Sequence, residues 1–261
     1  MIEFQQVTRT YGRRVAVDRL DLNVAEGELF AFLGPNGAGK TTSIKMIVGL
    51  LRPSSGRVRV CGFDVTEQPR EAKSQVSYVP DEPYLYDKLT GREFLKFIAD
   101  MYGLSRRDAG TQVASQIERF DLADFVDELT ENYSHGMKQR LVFAAAMLHH
   151  PKVLVVDEPM VGLDPKSIRL VKDLMREKAK AGVTVFMSTH TLAVAEEIGD
   201  RIGIIDQGKL KFMGTLDELK RGMSRHDSTF EQLFLDLTSA NDDGDEPDTN
   251  QEGESLELEG C

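Results

Sequence analysis

Apolar and polar residues alternate over residues 2–8 and 20–24, as they do in half-buried β-strands. A continuous apolar run, Leu29 to Leu33, follows and ends at the turn-forming residues Gly34-Pro35-Asn36-Gly37, which predicts a buried strand leading into a turn. Apolar residues then recur at helical spacing from Ile44 to Leu51. This pattern predicts a helix that ends before Pro53 and Gly56.

The rest of the chain continues with strands and helices in alternation. Strand patterns occur at 76–79, 153–156, 184–187 and 202–205, and a helical pattern at 167–180 lies between the second and third of them. This order predicts an α/β fold with a parallel sheet covered by helices on both faces, preceded by an N-terminal antiparallel β region. Helical patterns dominate from 91 to 149, so we expect an inserted helical lobe over about residues 88–150.

Three capping boxes mark helix starts. Thr90-Gly91-Arg92-Glu93 starts the first helix of the expected lobe. Thr215-Leu216-Asp217-Glu218 and Ser228-Thr229-Phe230-Glu231 predict two short helices within about residues 215–240. We therefore expect one folded domain over residues 1–240, including these helices.

Acidic residues are concentrated after this domain. The chain of 261 residues has a net charge of −11, and residues 241–261 contain nine acidic residues and no Lys or Arg. Such a segment has too little apolar surface to offset the entropy lost on ordering, so we expect a disordered acidic tail. The first 240 residues are nearly neutral, so no nucleic-acid partner is expected.

The composition also bears on the compartment. The longest apolar stretch, Leu141 to Leu148, is far shorter than the ~18 residues that span a bilayer. The N-terminus lacks the pattern of a secretory signal, and the two cysteines, Cys61 and Cys261, favour a reducing compartment. We expect a cytoplasmic protein that reaches a membrane only through a partner chain.

The turn after the first buried strand matches the phosphate-loop pattern G-x-x-x-x-G-K-[ST]. In such a loop, backbone N–H groups and a helix N-terminus bind phosphates, a lysine reaches the β- and γ-phosphates, and a hydroxyl ligates Mg²⁺. The lysine is Lys40 and the Mg²⁺-ligating hydroxyl is that of Thr41. The residues expected to bind ATP in this loop are Gly34, Pro35, Asn36, Gly37, Ala38, Gly39, Lys40, Thr41 and Thr42.

Two acidic residues, Asp157 and Glu158, end the apolar strand that begins at Val153. Acids at the carboxyl edge of a parallel sheet are costly unless a cation or a proton transfer uses them. We expect Asp157 to hold Mg²⁺ and Glu158 to act as the general base on the attacking water. Together with the phosphate loop, the acids indicate a P-loop NTPase.

Further motifs resemble those of ATP-binding-cassette (ABC) ATPases over about residues 1–215. Tyr133-Ser134-His135-Gly136-Met137 resembles the family signature L-S-G-G-Q, and Val161-Gly162-Leu163-Asp164 resembles the D-loop. His190 resembles the switch histidine, and Tyr11 stands where the family places an aromatic ring that stacks on adenine. The motifs also follow one another in the family's order.

The resemblance implies that two such chains, as a homodimer, bind ATP between the phosphate loop of one subunit and the signature of the other. Ser134, Gly136 and Asp164 would then contribute to ATP binding across the interface, and His190 to catalysis. The residues of the signature and the segment Phe230 to Leu235 resemble those of the ATPases of bacterial type-2 exporters. In these exporters the partner is a separate membrane-spanning permease. The alternative is a soluble ABC ATPase acting on ribosomes or DNA, which usually has two such domains or a long coiled-coil insert.

The sequence departs from the family pattern at several positions. Tyr133 replaces the signature's Leu, at a position that we expect to pack, and His135 and Met137 replace Gly and Gln. Asp81 occupies the place of the Gln that usually senses Mg²⁺. Its carboxylate could ligate Mg²⁺, or it could face the permease and act only in coupling. The second alternative is favoured because the side chain is short and a further charge near phosphate is costly.

Overall fold

A computed structural model describes residues 1–222 and 229–239. The elements in chain order are β1 (Ile2–Tyr11), β2 (Arg14–Val24), β3 (Leu29–Leu33), α1 (Lys40–Ile47), β4 (Ser55–Val60), β5 (Phe63–Asp64), α2 (Pro69–Ser74), β6 (Val76–Val79), α3 (Gly91–Met101), α4 (Arg106–Arg119), α5 (His135–Ala146), β7 (Val153–Asp157), α6 (Pro165–Lys180), β8 (Thr184–Thr189), α7 (Leu192–Ile198), β9 (Arg201–Asp206), β10 (Lys209–Gly214), α8 (Leu216–Gly222) and α9 (Phe230–Ser239). A short 3-10 helix, Thr130–Asn132, precedes α5. The expected α/β class is confirmed.

The strands form two sheets. A six-stranded sheet has the order β10-β9-β3-β8-β7-β6, in which only the β9–β10 pair is antiparallel. A four-stranded antiparallel sheet has the order β2-β1-β4-β5. The parallel sheet and the N-terminal antiparallel region are therefore present as expected, and α3, α4 and α5 lie between β6 and β7 in the chain.

The two faces of β3 belong to two separate parts of the core. Phe30 and Phe32 pack against Phe186 of β8, with ring centroids 5.6 and 5.3 Å from the Phe186 centroid. These rings share a cluster with α1 and the antiparallel sheet, whereas Ala31 and Leu33 belong to the cluster formed with the helices between β6 and β7. Burying each phenylalanine contributes about 2 kcal/mol, which helps fix the strand that leads into the phosphate loop.

The register of the parallel sheet brings four loops to one edge. Leu33 of β3 lies beside Thr189 of β8, and Asp157 of β7 lies beside Ser188. Val79 at the end of β6 lies beside Val156. Since all these strands run in the same direction, the segments that follow them meet outside their carboxyl ends, where α/β sheets bind ligands.

The structure corrects the sequence analysis in the antiparallel sheet. β2 begins at Arg14, six residues before the predicted strand. Bulges explain the difference, because the register of β1 shifts near residues 6 and 9, and Gln6 and Arg19 have positive φ angles of 48° and 45°. A bulge puts the alternation of apolar residues out of phase, so the pattern hides the strand. β4 and β10 were not predicted.

The expected helix starts near the C-terminus are partly confirmed. The Thr215 hydroxyl accepts a bond from the Glu218 N–H, and the Glu218 carboxylate accepts from the Thr215 N–H. The second box is formed one residue later than predicted, by Thr229 and Gln232, because Gln can return the same bond. Ser228 and the acidic segment 241–261, expected to be disordered, lie outside the described residues. Within the described part, no helix is both long and apolar enough to cross a bilayer.

Candidate active site

The phosphate loop turns sharply between β3 and α1. Gly39 precedes the helix with a φ of 113°, and a Cβ atom there would lie 2.6 Å from the Ala16 carbonyl oxygen. Both constraints require glycine at this position. The loop thereby places the free N–H groups of the first turn of α1 at its concave side, where phosphate can accept them.

Lys40 lies inside this loop and is almost completely buried. Its Nζ atom donates to the Gly34 carbonyl at 2.7 Å and to the Pro35 carbonyl at 3.2 Å. The ammonium is also 3.7 Å from Glu158 Oε1. Burial lowers the pKa of Lys40, while the nearby Glu158 and Asp157 oppose this change. A triphosphate would supply the buried cation with a stronger anionic partner than carbonyl oxygens.

A cavity of about 390 Å³ opens beside the loop. Its walls combine the end of the β1–β2 hairpin, the phosphate loop and the loops after β6 and β7. The lining residues are Tyr11, Arg14, Ala16, Asn36, Gly37, Gly39, Lys40, Thr41, Thr42, Asp81 and Glu158. Most of the residues predicted to bind ATP therefore lie together, whereas Gly34 and Pro35 contribute carbonyls to Lys40 and Ala38 is buried in the core.

The acid pair lies at the carboxyl end of β7 in two different environments. Asp157 is 2% exposed and accepts a hydrogen bond from the Ser188 hydroxyl. Glu158 has a φ of 46°, a left-handed conformation that costs about 1 kcal/mol for a residue with a side chain. Strain of this kind persists where the surroundings hold a functional group in place.

Glu158 is held by residues from two other loops. Its Oε2 accepts the His190 backbone N–H at 3.3 Å and lies 3.0 Å from His190 Nδ1. Its Oε1 faces Lys40. Glu158 lines the cavity, and the imidazole of His190 lies beside its carboxylate although His190 is not itself among the lining residues.

The cavity wall also contains Asp81, from the loop after β6. Partial burial is the main cause that raises the pKa of this carboxyl group, and repulsion from Asp157 and Glu158 adds to it. His135 acts in the opposite direction. The structure therefore brings Asp81 close to the acid pair, although the sequence analysis favoured a position toward the membrane partner.

The signature and the D-loop lie outside this cavity in the described subunit. Ser134 caps α5, and its hydroxyl accepts the Met137 N–H at 3.3 Å. Asp164 caps α6, where its carboxylate accepts from Lys166 and Ser167. Gly136, in the first turn of α5, does not line the cavity either. The ATP-binding roles of Ser134, Gly136 and Asp164 remain predictions that need a second subunit.

Tyr133 and Arg14 complete the comparison with the sequence. Tyr133 is buried and its hydroxyl donates to the Phe125 carbonyl at 2.7 Å, so this position packs, as expected. Arg14 was missed. It pairs with Tyr11 at the end of the β1–β2 hairpin, and its Nη2 would be 3.6 Å from a Cβ atom on Gly37. A guanidinium in this wall suits a phosphate, but the hidden start of β2 concealed it.

Several known proteins are similar to this chain in sequence. Residues 17–161 match the family model described as ABC transporter. The daunorubicin/doxorubicin resistance ATP-binding protein DrrA of Streptomyces peucetius is 40% identical over 222 residues, which cover 85% of this chain and 67% of that protein. The linearmycin resistance ATP-binding protein LnrL of Bacillus subtilis (strain 168) is 37% identical over 219 residues, covering 84% and 70%.

Solved structures agree with these relatives. The structure of an ATP-binding subunit of an ABC transporter has a TM-score of 0.86 and 32% identity, and the match covers 91% of this chain and 99% of that one. A dimeric ATP-binding cassette in a post-hydrolysis state, bound to ADP and Pi, has a TM-score of 0.76 and 25% identity, with coverage of 83% and 99%. The chain therefore belongs to the ABC transporter family, as one of its ATP-binding and ATP-hydrolysing subunits.

Proposed function

We propose that this chain is the ATPase subunit of a membrane exporter and works as a homodimer with a separate membrane-spanning permease, on the cytoplasmic face of the membrane. The observation that carries the proposal is that Lys40 and Glu158 line the cavity of one subunit whereas Ser134, at the start of α5, does not. A second copy would bring its signature to the bound ATP. Relatives named as linearmycin resistance, daunorubicin/doxorubicin resistance and bacitracin transport ATP-binding proteins support export over the ribosome or DNA alternative.

The site supports a division of roles. Lys40 and the first turn of α1 bind the phosphates, and Tyr11, which lines the cavity, stacks on adenine. Glu158 takes the proton of the attacking water, while His190, 3.0 Å from this carboxylate, positions that water. Arg14 adds positive charge near Gly37.

The residues present also fit Mg²⁺. Among the described residues there is no group of three or more His, Cys, Asp or Glu side chains that could hold a metal ion. Mg²⁺ usually takes one or two protein ligands together with substrate phosphates. Thr41 and Asp157 would hold it, and the ion would neutralise charge on the phosphates. Asp81, in the same cavity as Thr41, is proposed to contribute as well.

Asp81→Asn tests whether that carboxylate belongs to the metal site. The Asp81 carboxylate lies near Asp157 and Glu158. Replacing it by a neutral amide should therefore weaken Mg²⁺ binding, and it should also reduce the repulsion of ATP that carries no metal. The isolated subunit should then need roughly three- to tenfold more Mg²⁺ for half-maximal hydrolysis. Titration of Mg²⁺ at fixed ATP measures the effect. An unchanged Mg²⁺ requirement, with altered stimulation by the permease, would restore the coupling alternative.

An exposed apolar surface near the loop that contains Asp81 supports the proposal of a protein partner. It comprises Tyr84, Tyr86, Phe97, Met101 and Tyr102, whose exposed fractions range from 39% to 84%. Exposed apolar patches of this kind mark interaction surfaces. Tyr84 and Tyr86 lie in the loop that also contains Asp81, and the other three residues lie in α3 or directly after it. A partner bound here would therefore contact the segment that reaches the ATP site.

Affinity purification from detergent-solubilised membranes tests the proposed partner. The tagged wild-type chain should recover a protein with several membrane spans, and the Tyr84→Ser/Met101→Ser variant should recover roughly tenfold less of it. Leu50→Ser is the matched control, since Leu50 is 64% exposed but lies after α1. Recovery of ribosomes or DNA in place of a membrane protein would contradict the proposal.

A further inference from the structure

His135, which stands where the signature usually has glycine, contacts the D-loop of its own subunit. It is the first residue of α5, and its Nε2 atom lies 3.1 Å from the Val161 carbonyl oxygen. A carbonyl can only accept, so Nε2 carries the proton and donates. The bond joins segments that are 26 residues apart.

The ring is also seated against the next residue of the D-loop. A Cβ atom on Gly162 would lie 2.9 Å from His135 Cδ2 and 3.1 Å from Nε2. Gly162 has a φ of 71°, a conformation that favours glycine. The D-loop therefore has a backbone shape and an open side that accommodate the imidazole.

Val161 connects this contact to Glu158. Its carbonyl accepts from His135, and its N–H donates to the Glu158 carbonyl at 3.3 Å. Glu158 itself has the strained φ of 46° and depends on its surroundings for its orientation. A continuous set of hydrogen bonds thus runs from the start of α5, through the D-loop, to the backbone of the general base.

We propose that His135 is a positioning residue for ATP hydrolysis: its bond to the Val161 carbonyl holds the D-loop and, through it, the orientation of Glu158. The imidazole acts on the base of its own subunit. A contact with ATP held by a second subunit is a different role, and the two roles give different results on substitution.

The first test compares two variants of similar size. His135→Leu removes the donor and should lower kcat roughly fivefold with KM for ATP within about twofold of wild type. His135→Gln keeps an N–H near the position of Nε2 and should retain kcat within about twofold. His150→Gln, just past the other end of α5 and exposed, is the matched control. An unchanged kcat in His135→Leu, or equal losses in both variants, would overturn the proposal.

The second test asks whether the effect passes through Glu158. In a Glu158→Gln background the base is absent, so adding His135→Leu should change the residual rate by less than about twofold. A further fivefold loss would show that His135 acts independently of the base and would overturn the proposal.

The third measurement separates positioning from contact across subunits, and it rests on the proposed homodimer. The ATP concentration that gives half-maximal dimer formation in Glu158→Gln should be unchanged by His135→Leu. A rise of about fivefold or more would assign His135 to ATP of the second subunit and contradict the positioning role. Failure of Glu158→Gln to dimerise at all would instead count against the homodimer, while the kcat comparison would still test His135.

Discussion

Glu158→Gln is expected to reduce steady-state ATP hydrolysis roughly a thousandfold while leaving ATP affinity nearly unchanged. The amide preserves the shape of the side chain but cannot take a proton from water. Glu158 lies at the cavity wall with His190 at 3.0 Å, whereas phosphate binding depends on the loop around Lys40. Phosphate release and calorimetric ATP titration measure the two effects separately.

The same variant should accumulate an ATP-bound dimer that size-exclusion chromatography detects, because closure is no longer reversed by hydrolysis. Glu118→Gln, the same chemical change on the exposed side of α4, is the control and should hydrolyse ATP normally. Hydrolysis by Glu158→Gln at the wild-type rate would show that another group is the base.

Lys40→Ala should weaken ATP binding by roughly ten- to a hundredfold, which corresponds to the loss of charge-assisted hydrogen bonds to phosphate. The side chain is buried within the loop, and its Nζ atom is 2.7 Å from the Gly34 carbonyl. No other described lysine lines this cavity, and Arg14, the other cation in its wall, lies in the β1–β2 hairpin and not in the loop.

Titration calorimetry with ATP measures this loss, and thermal unfolding shows whether the variant remains folded. Lys45→Ala provides the control, since Lys45 is an exposed residue in the last turn of the same helix. Equal ATP affinities of Lys40→Ala and wild type would place the nucleotide elsewhere on the protein.

Local sequence patterns were sufficient to indicate the residues at the centre of the candidate site. The phosphate loop depends on consecutive residues between a buried strand and a helix, and the pair Asp157-Glu158 directly follows an apolar strand. Parallel pairing of these strands then places the motifs at one edge, so their proximity follows from topology. The family order of motifs added His190, which the structure places 3.0 Å from Glu158.

Contacts between distant segments could not be predicted in this way. Arg14 reaches the cavity because bulges in the β1–β2 pair fix the hairpin, and such bulges interrupt the alternation that marks strands. The place of Asp81 in the cavity wall could not be predicted either, because the reach of one side chain depends on the path of its loop. The bond from His135 to Val161 joins two motifs whose separate patterns carry no information about their contact.

Phosphate release from MgATP by the purified wild-type chain is the most direct test of the account, with Lys40→Ala prepared identically to measure contaminating ATPase. The cavity joining Lys40, Thr41 and Glu158 predicts that each wild-type chain releases many equivalents of phosphate, well above the Lys40→Ala background. Release that is the same in both preparations would contradict the assignment of this cavity as the site of ATP hydrolysis.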